Sequence, residues 1–192
     1  VASVEALDVM VTDALSGRRV LVTGHTGFKG SWLSIWLQKL GAHVAGFALD
    51  PPTTPSMFVT ARAGEGLADF RGDVRNAGSL GEVFARFDPE VVFHLAAQSI
   101  VREGYRAPVE TYATNVVGTA TVLDACRRAS SVRAIVVASS DKCYENRNWI
   151  WGYRENDPLG GFDPYSSSKA CTEFVCAAFR QSFLEQGSPR IG

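Results

Sequence analysis

The stretch Thr23-Gly24-His25-Thr26-Gly27-Phe28-Lys29-Gly30 decides the fold of this chain. It follows Arg19–Thr23, a run rich in β-branched residues that is typical of a buried strand. Beyond it, apolar residues recur at helical spacing at Leu33, Trp36, Leu37 and Leu40. Gly41 then marks the expected end of that helix. The glycine loop therefore joins a strand to a helix.

Each glycine of this loop has a different steric role. Gly24 permits a tight turn, Gly27 lets the backbone approach a pyrophosphate, and Gly30 lets the helix pack closely on the strand. The first turn of the helix offers free N–H groups and the positive end of its dipole to phosphates. We therefore expect a bound dinucleotide. Its expected contacts here are Gly24, Thr26, Gly27, Phe28, Lys29 and Gly30. For His25 and Lys29, a position facing solvent is as well supported as a contact with the ligand.

The rest of the chain alternates short β-branched runs with longer helical stretches, which is the signature of a parallel sheet with crossover helices. The runs 91–97 and 134–140 are nearly continuous in apolar residues, as expected of strands covered on both faces. Two further strands and two long helices are predicted at residues 43–49, 67–73, 111–128 and 164–186. We predict an α/β fold with a doubly wound parallel sheet, the Rossmann fold.

One domain is expected over residues 17–192, after a leader at residues 1–16. The leader has little helix or strand pattern, apart from a short helical turn at residues 9–15. A Rossmann sheet commonly has six strands, and Ser188-Pro189-Arg190-Ile191-Gly192 resembles the approach to the sixth. We therefore expect the domain to be truncated before or within that strand.

Composition excludes several classes of function. The formal net charge of −1 leaves no broad basic field for nucleic acid or for an anionic membrane. The four cysteines form no CxxC pair and have no histidine at metal-ligand spacing, so free thiols and no metal site are expected. No apolar run approaches the ~18 residues of a membrane span. We expect a cytoplasmic protein with neither nucleic acid nor a membrane as its partner.

Two acids follow predicted strands where the adenosine half of a dinucleotide would lie. Asp50 follows the second strand, the usual place for the acid that binds the ribose hydroxyls. Its carboxylate would repel the 2′-phosphate of NADP, and residues 47–57 hold no arginine to attract one, so NAD is the expected cofactor. Alternatively, Asp50 caps the turn at Pro51. Asp73 would accept a hydrogen bond from the adenine amino group or cap the helix at Asn76.

The stretch Tyr165-Ser166-Ser167-Ser168-Lys169 resembles the YxxxK motif of the short-chain dehydrogenase/reductase superfamily. The spacing places the two outer side chains on one face of a helix. An ammonium beside a phenol stabilises the phenolate, so Tyr165 could take a proton from a hydroxyl. The resemblance implies that Lys169 also holds the nicotinamide ribose. Both residues therefore belong to the expected catalytic set and to the expected cofactor contacts.

A second catalytic stretch, Ser139-Ser140-Asp141-Lys142-Cys143-Tyr144, follows the fifth predicted strand. In the extended branch of the superfamily the third catalytic hydroxyl lies here, and Ser140 matches it. Asp141 and Lys142 resemble the acid/base pair of 4,6-dehydratases, which simple 4-epimerases lack; ordinary surface positions for both are the alternative. Many sugar dehydratases have Asp-Glu here, whereas Asp-Lys resembles the CDP-glucose 4,6-dehydratases and also some UDP-N-acetylglucosamine 4,6-dehydratases. The segments GHTGFKGSWL, FHLAAQSIVR, SSDKCYENRNWIWGYRE and GGFDPYSSSK are similar to the CDP-glucose 4,6-dehydratases in particular, over residues 17–183.

The resemblance implies an NAD-dependent lyase that converts CDP-glucose to CDP-4-keto-6-deoxyglucose in a redox-neutral cycle with tightly held NAD. Tyr165 would remove the 4-hydroxyl proton, and Asp141 would protonate the departing 6-hydroxyl. Lys142 would take the proton from C5, provided that burial favours its neutral amine. In the wider branch the ribose acid often stands two residues before Asp50, where this chain has Ala48.

The resemblance also implies further contacts. The cofactor would additionally meet Val74, Leu95, Ala96 and Ala97. The nucleotide-sugar substrate would meet Gln98, Ser99, Arg102 and Asn115. For Asn115, a polar residue in a helix that faces solvent is the alternative. Relatives form homodimers through the two long helices, and most of their nucleotide contacts come from a C-terminal part that is not expected in this chain.

Two other functions stay open. A nucleotide-sugar 4-epimerase of the same superfamily would share every feature except a need for Asp141 and Lys142. A non-catalytic NAD-binding protein would need only the glycine loop. The joint presence of Ser140, Tyr165 and Lys169 favours an enzyme.

Overall fold

The structure is a computed structural model that describes residues 4–184 and 190–192, with the side chains of residues 10–184 and 190–192. Its strands are β1 (Arg19–Thr23), β2 (His43–Ala48), β3 (Ala68–Arg71), β4 (Val91–His94), β5 (Ala134–Val137) and β6 (Arg190–Ile191). In the described chain they form one parallel sheet in the order β3-β2-β1-β4-β5-β6. This is the strand order of a doubly wound Rossmann domain, so the predicted fold class is confirmed.

Helices cover the sheet on both sides. The α-helices are α1 (Val4–Leu15), α2 (Phe28–Lys39), α3 (Met57–Thr60), α4 (Ala77–Phe87), α5 (Val101–Arg106), α6 (Pro108–Tyr112), α7 (Gly118–Arg128) and α8 (Pro164–Phe179). Further turns are π-helical at Ala113–Val117 and Arg180–Leu184 and 3₁₀ at Asp141–Cys143. Across the described residues, none of the helices combines the length and the apolar composition that crossing a membrane requires.

Strands β4 and β5 end earlier than the apolar pattern predicts. Strand β4 ends at His94, which pairs with Thr23 of β1 on one side and with Val137 of β5 on the other. The predicted strands extend to residues 97 and 140 because Leu95, Ala96, Ala97 and Ala138 continue the apolar pattern beyond the last pair. A strand ends where its hydrogen-bond partners end, and composition does not report that point. The extra residues form loops at the carboxyl edge of the sheet, where ligands bind in such folds.

The N-terminal segment is more regular than expected. Residues Val4–Leu15 form α1, whereas the sequence pattern predicts only a short helical turn at residues 9–15. Leu15 is partly buried and packs against the cluster that includes Val20 and Leu37. Among the side chains described in α1, Leu15 makes this contact at the last position of the helix, so the contact gives little sign of the preceding turns in the sequence. The division into residues 1–16 and 17–192 stays a prediction.

The core lies on both faces of the sheet, as continuous apolar strands require. Leu21 of β1 packs on one face with Leu80 of α4 and Leu123 of α7. Its neighbour Val22 points to the other face and packs with Leu37 of α2. Alternate residues of a single strand therefore serve two separate core layers, which is the physical basis of the doubly wound arrangement.

The two predicted long helices are present, with irregular turns. The predicted helix at residues 111–128 begins at Pro108 and contains the π-helical turn Ala113–Val117 before it continues as α7. Helix α8 begins after Asp163, whose side chain accepts a hydrogen bond from the backbone N–H of Ser166 at 3.0 Å. Pro164 fits the first helical position, where no N–H is needed. Residues 185–186 of the second predicted helix lie outside the described residues.

Replacing Leu123 with alanine should lower the free energy of unfolding by about 2–5 kcal/mol, since the fully buried side chain would leave a cavity between α7 and the sheet. The matched control is Leu49→Ala, because Leu49 is 62% exposed and its truncation should change stability by less than about 0.5 kcal/mol. Urea unfolding followed by circular dichroism measures both. Equal losses in the two variants would contradict the described core.

Candidate cofactor and catalytic site

Gly24 brings the glycine loop into direct contact with the loop that follows β4. Its φ of +76° disfavours residues with a side chain. A Cβ atom here would lie 2.7 Å from the backbone nitrogen of Ala96 and 2.9 Å from the carbonyl carbon of Leu95. The two loops flank β1 and β4, the point at which the strand order reverses. Leu95 and Ala96, both predicted cofactor contacts, therefore lie beside the glycine loop.

The N-terminus of α2 forms a backbone cradle. Gly27 is the N-cap residue and contributes no side-chain hydrogen bond. A Cβ atom on buried Gly30 would lie 2.1 Å from the carbonyl oxygen of Gly24, so only glycine allows this approach. The N–H groups of Phe28 and Lys29 lie in the first turn, where a helix supplies no internal acceptor, and both side chains are exposed. These free N–H donors surround a space that Gly27, without a side chain, leaves open. The arrangement fits the pyrophosphate of a dinucleotide.

His25 faces neither solvent nor the cradle. Its side chain is fully buried beneath the loop, and a Cβ atom on Gly46 of β2 would lie 2.2 Å from the imidazole Cγ. Nε2 lies 2.9 Å from Oδ1 of Asp69, while Nδ1 has no hydrogen-bond partner among the described residues. Burial lowers the pKa of His25, so the neutral ring donates its Nε2–H to the carboxylate. His25 therefore anchors the loop to β2 and β3.

The end of β2 holds the predicted ribose acid and an unexpected arginine. The side chain of Asp50 is 92% exposed, and Nη1 of Arg71 lies 3.6 Å from its Oδ1. Arg71 is the last residue of β3 and also donates from Nη1 to the carbonyl oxygen of Leu49 at 3.2 Å. The hydroxyl of Thr26 donates to the same carbonyl at 2.9 Å. No arginine was expected here from residues 47–57, because Arg71 comes from the neighbouring strand.

Asp73 is held by Arg75. The guanidinium donates to both carboxylate oxygens, and the backbone N–H of Arg75 donates to Oδ1 at 2.9 Å. The hydrogen bonds from the Arg75 side chain lower the pKa of Asp73. Arg75 also binds Glu110 of α6. Helix α4 is capped by Asn76, whose Oδ1 accepts from the N–H of Ser79 at 3.1 Å, so Asp73 is not the cap. The buried neighbour Val74 packs into the core.

Asn115 lies in the π-helical turn and is 1% exposed, which rules out the solvent-facing alternative. Its Oδ1 accepts from the backbone N–H of Gln98 at 2.8 Å, and its Nδ2 donates to the carbonyl oxygen of Gln98 at 3.0 Å. The same amide donates to Oγ of Ser168 on α8 at 2.8 Å. Every polar atom of this side chain is engaged in holding the loop after β4 against α8, so Asn115 positions other residues.

The remaining predicted substrate contacts differ in exposure. The side chain of Gln98 is engaged locally, since Nε2 donates to Oγ1 of Thr111 at 2.9 Å. Ser99 and Arg102 are exposed. Arg102 lines an open groove of about 550 Å³ together with Ile100, Val101 and Tyr105. Arg102 and Ser99 are therefore free to meet a ligand, whereas Gln98 and Asn115 shape the loop.

Ser140, Asp141 and Lys142 follow β5 at the carboxyl edge. Ser140 caps the 3₁₀ turn, since its Oγ accepts from the backbone N–H of Lys142 at 3.2 Å and donates to Oδ1 of Asp141 at 3.2 Å. Both Asp141 and Lys142 are exposed, so the burial that was expected to favour a neutral Lys142 amine is not observed. The turn packs against α8.

Tyr165 and Lys169 lie on α8 and are buried. The ammonium of Lys169 donates to the carbonyl oxygen of Ala138, two residues before Ser140, at 2.9 Å. Burial lowers the pKa of Lys169. Gly104 of α5 packs on the start of α8, where its Cβ would lie 3.2 Å from the backbone nitrogen of Tyr165. The end of β5, α5 and α8 thus bring the two predicted catalytic stretches together.

His94 links the end of β1 to α7 through buried hydroxyl groups. Nδ1 lies 2.7 Å from Oγ1 of Thr23 at the end of β1, and Nε2 lies 3.0 Å from Oγ1 of Thr119 on α7. Burial lowers the pKa of His94 to about 3, so the ring is neutral at physiological pH. The hydroxyl of Thr119 donates to the carbonyl oxygen of Asn115. A continuous polar chain therefore joins the glycine loop to the π-helical turn.

Several residues that shape the candidate site were missed from sequence. Arg71 and Asp69 were identifiable only by aligning the ends of β2 and β3, and Arg75 only by its nearness to Asp73. Gly104 sits in a short helix with no motif around it. The predicted residues fall in two groups: the glycine loop with Asp50 toward β2 and β3, and Ser140 with Tyr165 and Lys169 toward β5.

A family model described as GDP-mannose 4,6 dehydratase matches residues 21–187. The chain belongs to this family. CDP-glucose 4,6-dehydratase of Salmonella typhimurium is 54% identical over 168 residues, which cover 88% of this chain and 47% of that protein. The resemblance to the CDP-glucose 4,6-dehydratases that the motifs indicated is thus confirmed.

Solved structures resemble the chain at lower identity. UDP-glucose 4-epimerase from Thermus thermophilus in complex with NAD has a TM-score of 0.73 and 31% identity, over 86% of this chain and 51% of that one. The dTDP-glucose 4,6-dehydratase from Bacillus anthracis in complex with NAD has a TM-score of 0.73 and 25% identity, over 87% and 52%. The chain spans about half the length of the curated relatives it matches, such as the Salmonella enzyme.

Gly30→Ala should destabilise the protein by about 1–3 kcal/mol and weaken dinucleotide binding, since its Cβ cannot fit against the Gly24 carbonyl. The matched control is Gly81→Ala in α4, where a Cβ meets nothing within 4 Å. That change should raise stability by about 0.5–1 kcal/mol, because alanine favours the helix. Urea unfolding distinguishes the two, and a stabilised Gly30→Ala variant would contradict the cradle.

Proposed function

We propose that the protein is an NAD-dependent nucleotide-sugar 4,6-dehydratase, a lyase that converts CDP-glucose to CDP-4-keto-6-deoxyglucose. The observation that carries this proposal is the packing of the 3₁₀ turn, with its exposed Asp141 and Lys142, against the helix that carries Tyr165 and Lys169. The 54% identity to the Salmonella CDP-glucose 4,6-dehydratase supports the choice of substrate.

The cradle at α2 is the proposed site of the NAD pyrophosphate, bound by the N–H groups of Phe28 and Lys29. Asp50 would receive the adenosine ribose hydroxyls and Asp73 the adenine amino group, while the backbone at Leu95, Ala96 and Ala97 would line the dinucleotide. The NAD complexes of two relatives support this cofactor. When bound, NAD accepts a hydride from C4 of the sugar and returns it to C6.

Tyr165 is the proposed base for the 4-hydroxyl. Its burial at the start of α8 excludes bulk water from the proton transfer. Lys169 is buried on the same helical face, and its ammonium stabilises the phenolate that receives this proton. The carbonyl oxygen of Ala138 orients the ammonium, and Ser140, two residues later, hydrogen-bonds the substrate oxygen. The substrate thereby becomes a 4-ketone, which acidifies the hydrogen on C5.

Asp141 and Lys142 carry out the elimination. Lys142 takes the proton from C5, and Asp141 gives a proton to the 6-hydroxyl, which leaves as water. The exposure of both side chains leaves them accessible to a sugar that enters at the carboxyl edge. When the hydride returns to C6, Lys142 gives its proton back to C5, and the proton that Tyr165 took from the 4-hydroxyl replaces, through solvent, the one that Asp141 gave away. The substrate thereby loses the elements of one water molecule, and all three residues regain their starting protonation.

A nucleotide-sugar 4-epimerase remains the second candidate, because a UDP-glucose 4-epimerase is 31% identical and shares the fold. The two functions differ in their use of Asp141 and Lys142: a dehydratase needs both residues for elimination, whereas an epimerase needs neither. A non-catalytic NAD-binding protein would leave the buried Tyr165 and Lys169 pair without a role.

We further propose that the protein forms a homodimer and acts in the cytoplasm. The helices expected to pair expose large apolar side chains at Val109, Val117 and Phe174, which is unusual for a surface that stays in water. Cys126, Cys143, Cys171 and Cys176 are free thiols, as expected of a reducing compartment.

Tyr165→Phe should lower turnover of CDP-glucose at least about a hundredfold, since the phenol that takes the 4-hydroxyl proton is gone. NAD binding should change less than about twofold, because the ring still packs at the start of α8. Product formation followed by chromatography and NAD titration by calorimetry measure the two effects. Full turnover in this variant would refute the assignment of the base.

The double variant Asp141→Asn with Lys142→Met should stop elimination while the first oxidation continues. Reduced cofactor and a 4-ketone would then accumulate, which is visible as the near-ultraviolet absorbance of the reduced nicotinamide. Wild-type protein should yield the 4-keto-6-deoxy sugar nucleotide instead. If wild-type protein gave only the 4-epimer, the dehydratase proposal would be lost in favour of the epimerase. If the double variant kept full dehydratase activity, the roles assigned to Asp141 and Lys142 would be refuted.

A further inference from the structure

Arg71 ends β3 at the carboxyl edge of the sheet, beside the end of β2. The strand register pairs Arg71 with Ala48, so its side chain reaches Leu49 and Asp50, which follow β2. In dinucleotide-binding sheets this edge receives the adenosine ribose, and a nearby arginine accommodates the 2′-phosphate of NADP. Arg71 therefore occupies the place of a phosphate-binding arginine, although it lies on a different strand from Asp50.

The guanidinium of Arg71 is held on several sides. Nη2 lies 2.7 Å from Oδ2 of Asp69, and Nη1 lies 3.2 Å from the Leu49 carbonyl oxygen. Its central carbon lies 5.0 Å from the centre of the Phe58 ring, a cation–π contact. The side chain remains 35% exposed. A fixed, partly open guanidinium presents the geometry that binds phosphate through two parallel hydrogen bonds.

The charges around Arg71 oppose such a phosphate. Asp69 and Asp50 supply two negative charges against the single positive charge of the arginine. The imidazole of His25 shares the Asp69 carboxylate at 2.9 Å but adds no charge, because burial lowers its pKa and keeps the ring neutral. A 2′-phosphate would bring two further negative charges into this cluster, whereas a 2′-hydroxyl can donate a hydrogen bond to Asp50.

From these contacts we infer that Arg71 is a latent ligand for an adenosine 2′-phosphate, held out of use by Asp69 and Asp50. Asp69 engages the guanidinium, and Asp50 repels the phosphate that would compete for it. Cofactor choice thus rests on three residues of two strands rather than on Asp50 alone. This inference rests on the proposed binding of NAD and adds the residues that determine its selectivity.

The test compares the binding of AMP and adenosine 2′,5′-bisphosphate by calorimetry. Asp50→Ser removes an exposed charge without loss of packing, and Asp69→Asn keeps an oxygen that accepts from His25. The preference for the bisphosphate over AMP should rise about tenfold in Asp50→Ser and further in the double variant, as expected for a recovered charge-assisted hydrogen bond. NADP should follow the bisphosphate in the same titrations.

Arg71→Met in the double variant is the decisive control, since methionine can still pack on Phe58 but cannot bind phosphate. The gain should disappear. Arg18→Met, which removes an ion-paired arginine before β1 at the opposite edge of the sheet, should leave the gain intact. The role of Arg71 is overturned if the increased preference for the bisphosphate survives Arg71→Met. It is also overturned if the double variant still binds AMP but shows no increased preference for the bisphosphate. Wild-type protein that binds neither AMP nor NAD overturns the proposed function as well.

Discussion

The close approach of backbone to backbone at the glycine loop is the constraint on which the rest of the structure depends. Gly24 touches the backbone of Leu95 and Ala96, and Gly30 lies against the Gly24 carbonyl with no room for a Cβ. These contacts place the N-terminus of α2 beside the ends of β1 and β4. The free N–H groups of that helix therefore face the crevice at which the strand order reverses, and a phosphate site results from the fold itself.

A chain of buried polar side chains connects the glycine loop to α8. It runs from Thr23 through His94 and Thr119 to Asn115, whose amide holds the main chain of Gln98 and the hydroxyl of Ser168. A buried polar group that loses its partner is costly, so each link constrains the next. The π-helical turn fits this scheme because it lies where Asn115 must meet both the loop after β4 and α8.

Burial separates the residues that hold the backbone in place from those that a ligand in solution can reach. His25, His94 and Asn115 are enclosed and fully occupied with protein partners, apart from Nδ1 of His25. Asp141, Lys142 and Arg102 are exposed along the carboxyl edge. The ends of β2 and β3 show the same division, since a buried His25 fixes Asp69, and Asp69 in turn holds the partly exposed Arg71. A rigid base under a solvated rim suits a site whose ligands arrive from solution.

The sequence by itself determined the strand and helix order, the glycine loop and the Tyr165–Lys169 pair, because each of these depends on spacing within a few residues. It misjudged where β4 and β5 end, since hydrogen-bond partners on neighbouring strands decide that. Only the tertiary structure decided that His25 is buried, that Arg71 meets Asp50, and that Asn115 holds Gln98. Those contacts join segments far apart in the chain, and the parallel register of β2 and β3 that brings Arg71 to Asp50 leaves no local trace in the composition of either strand.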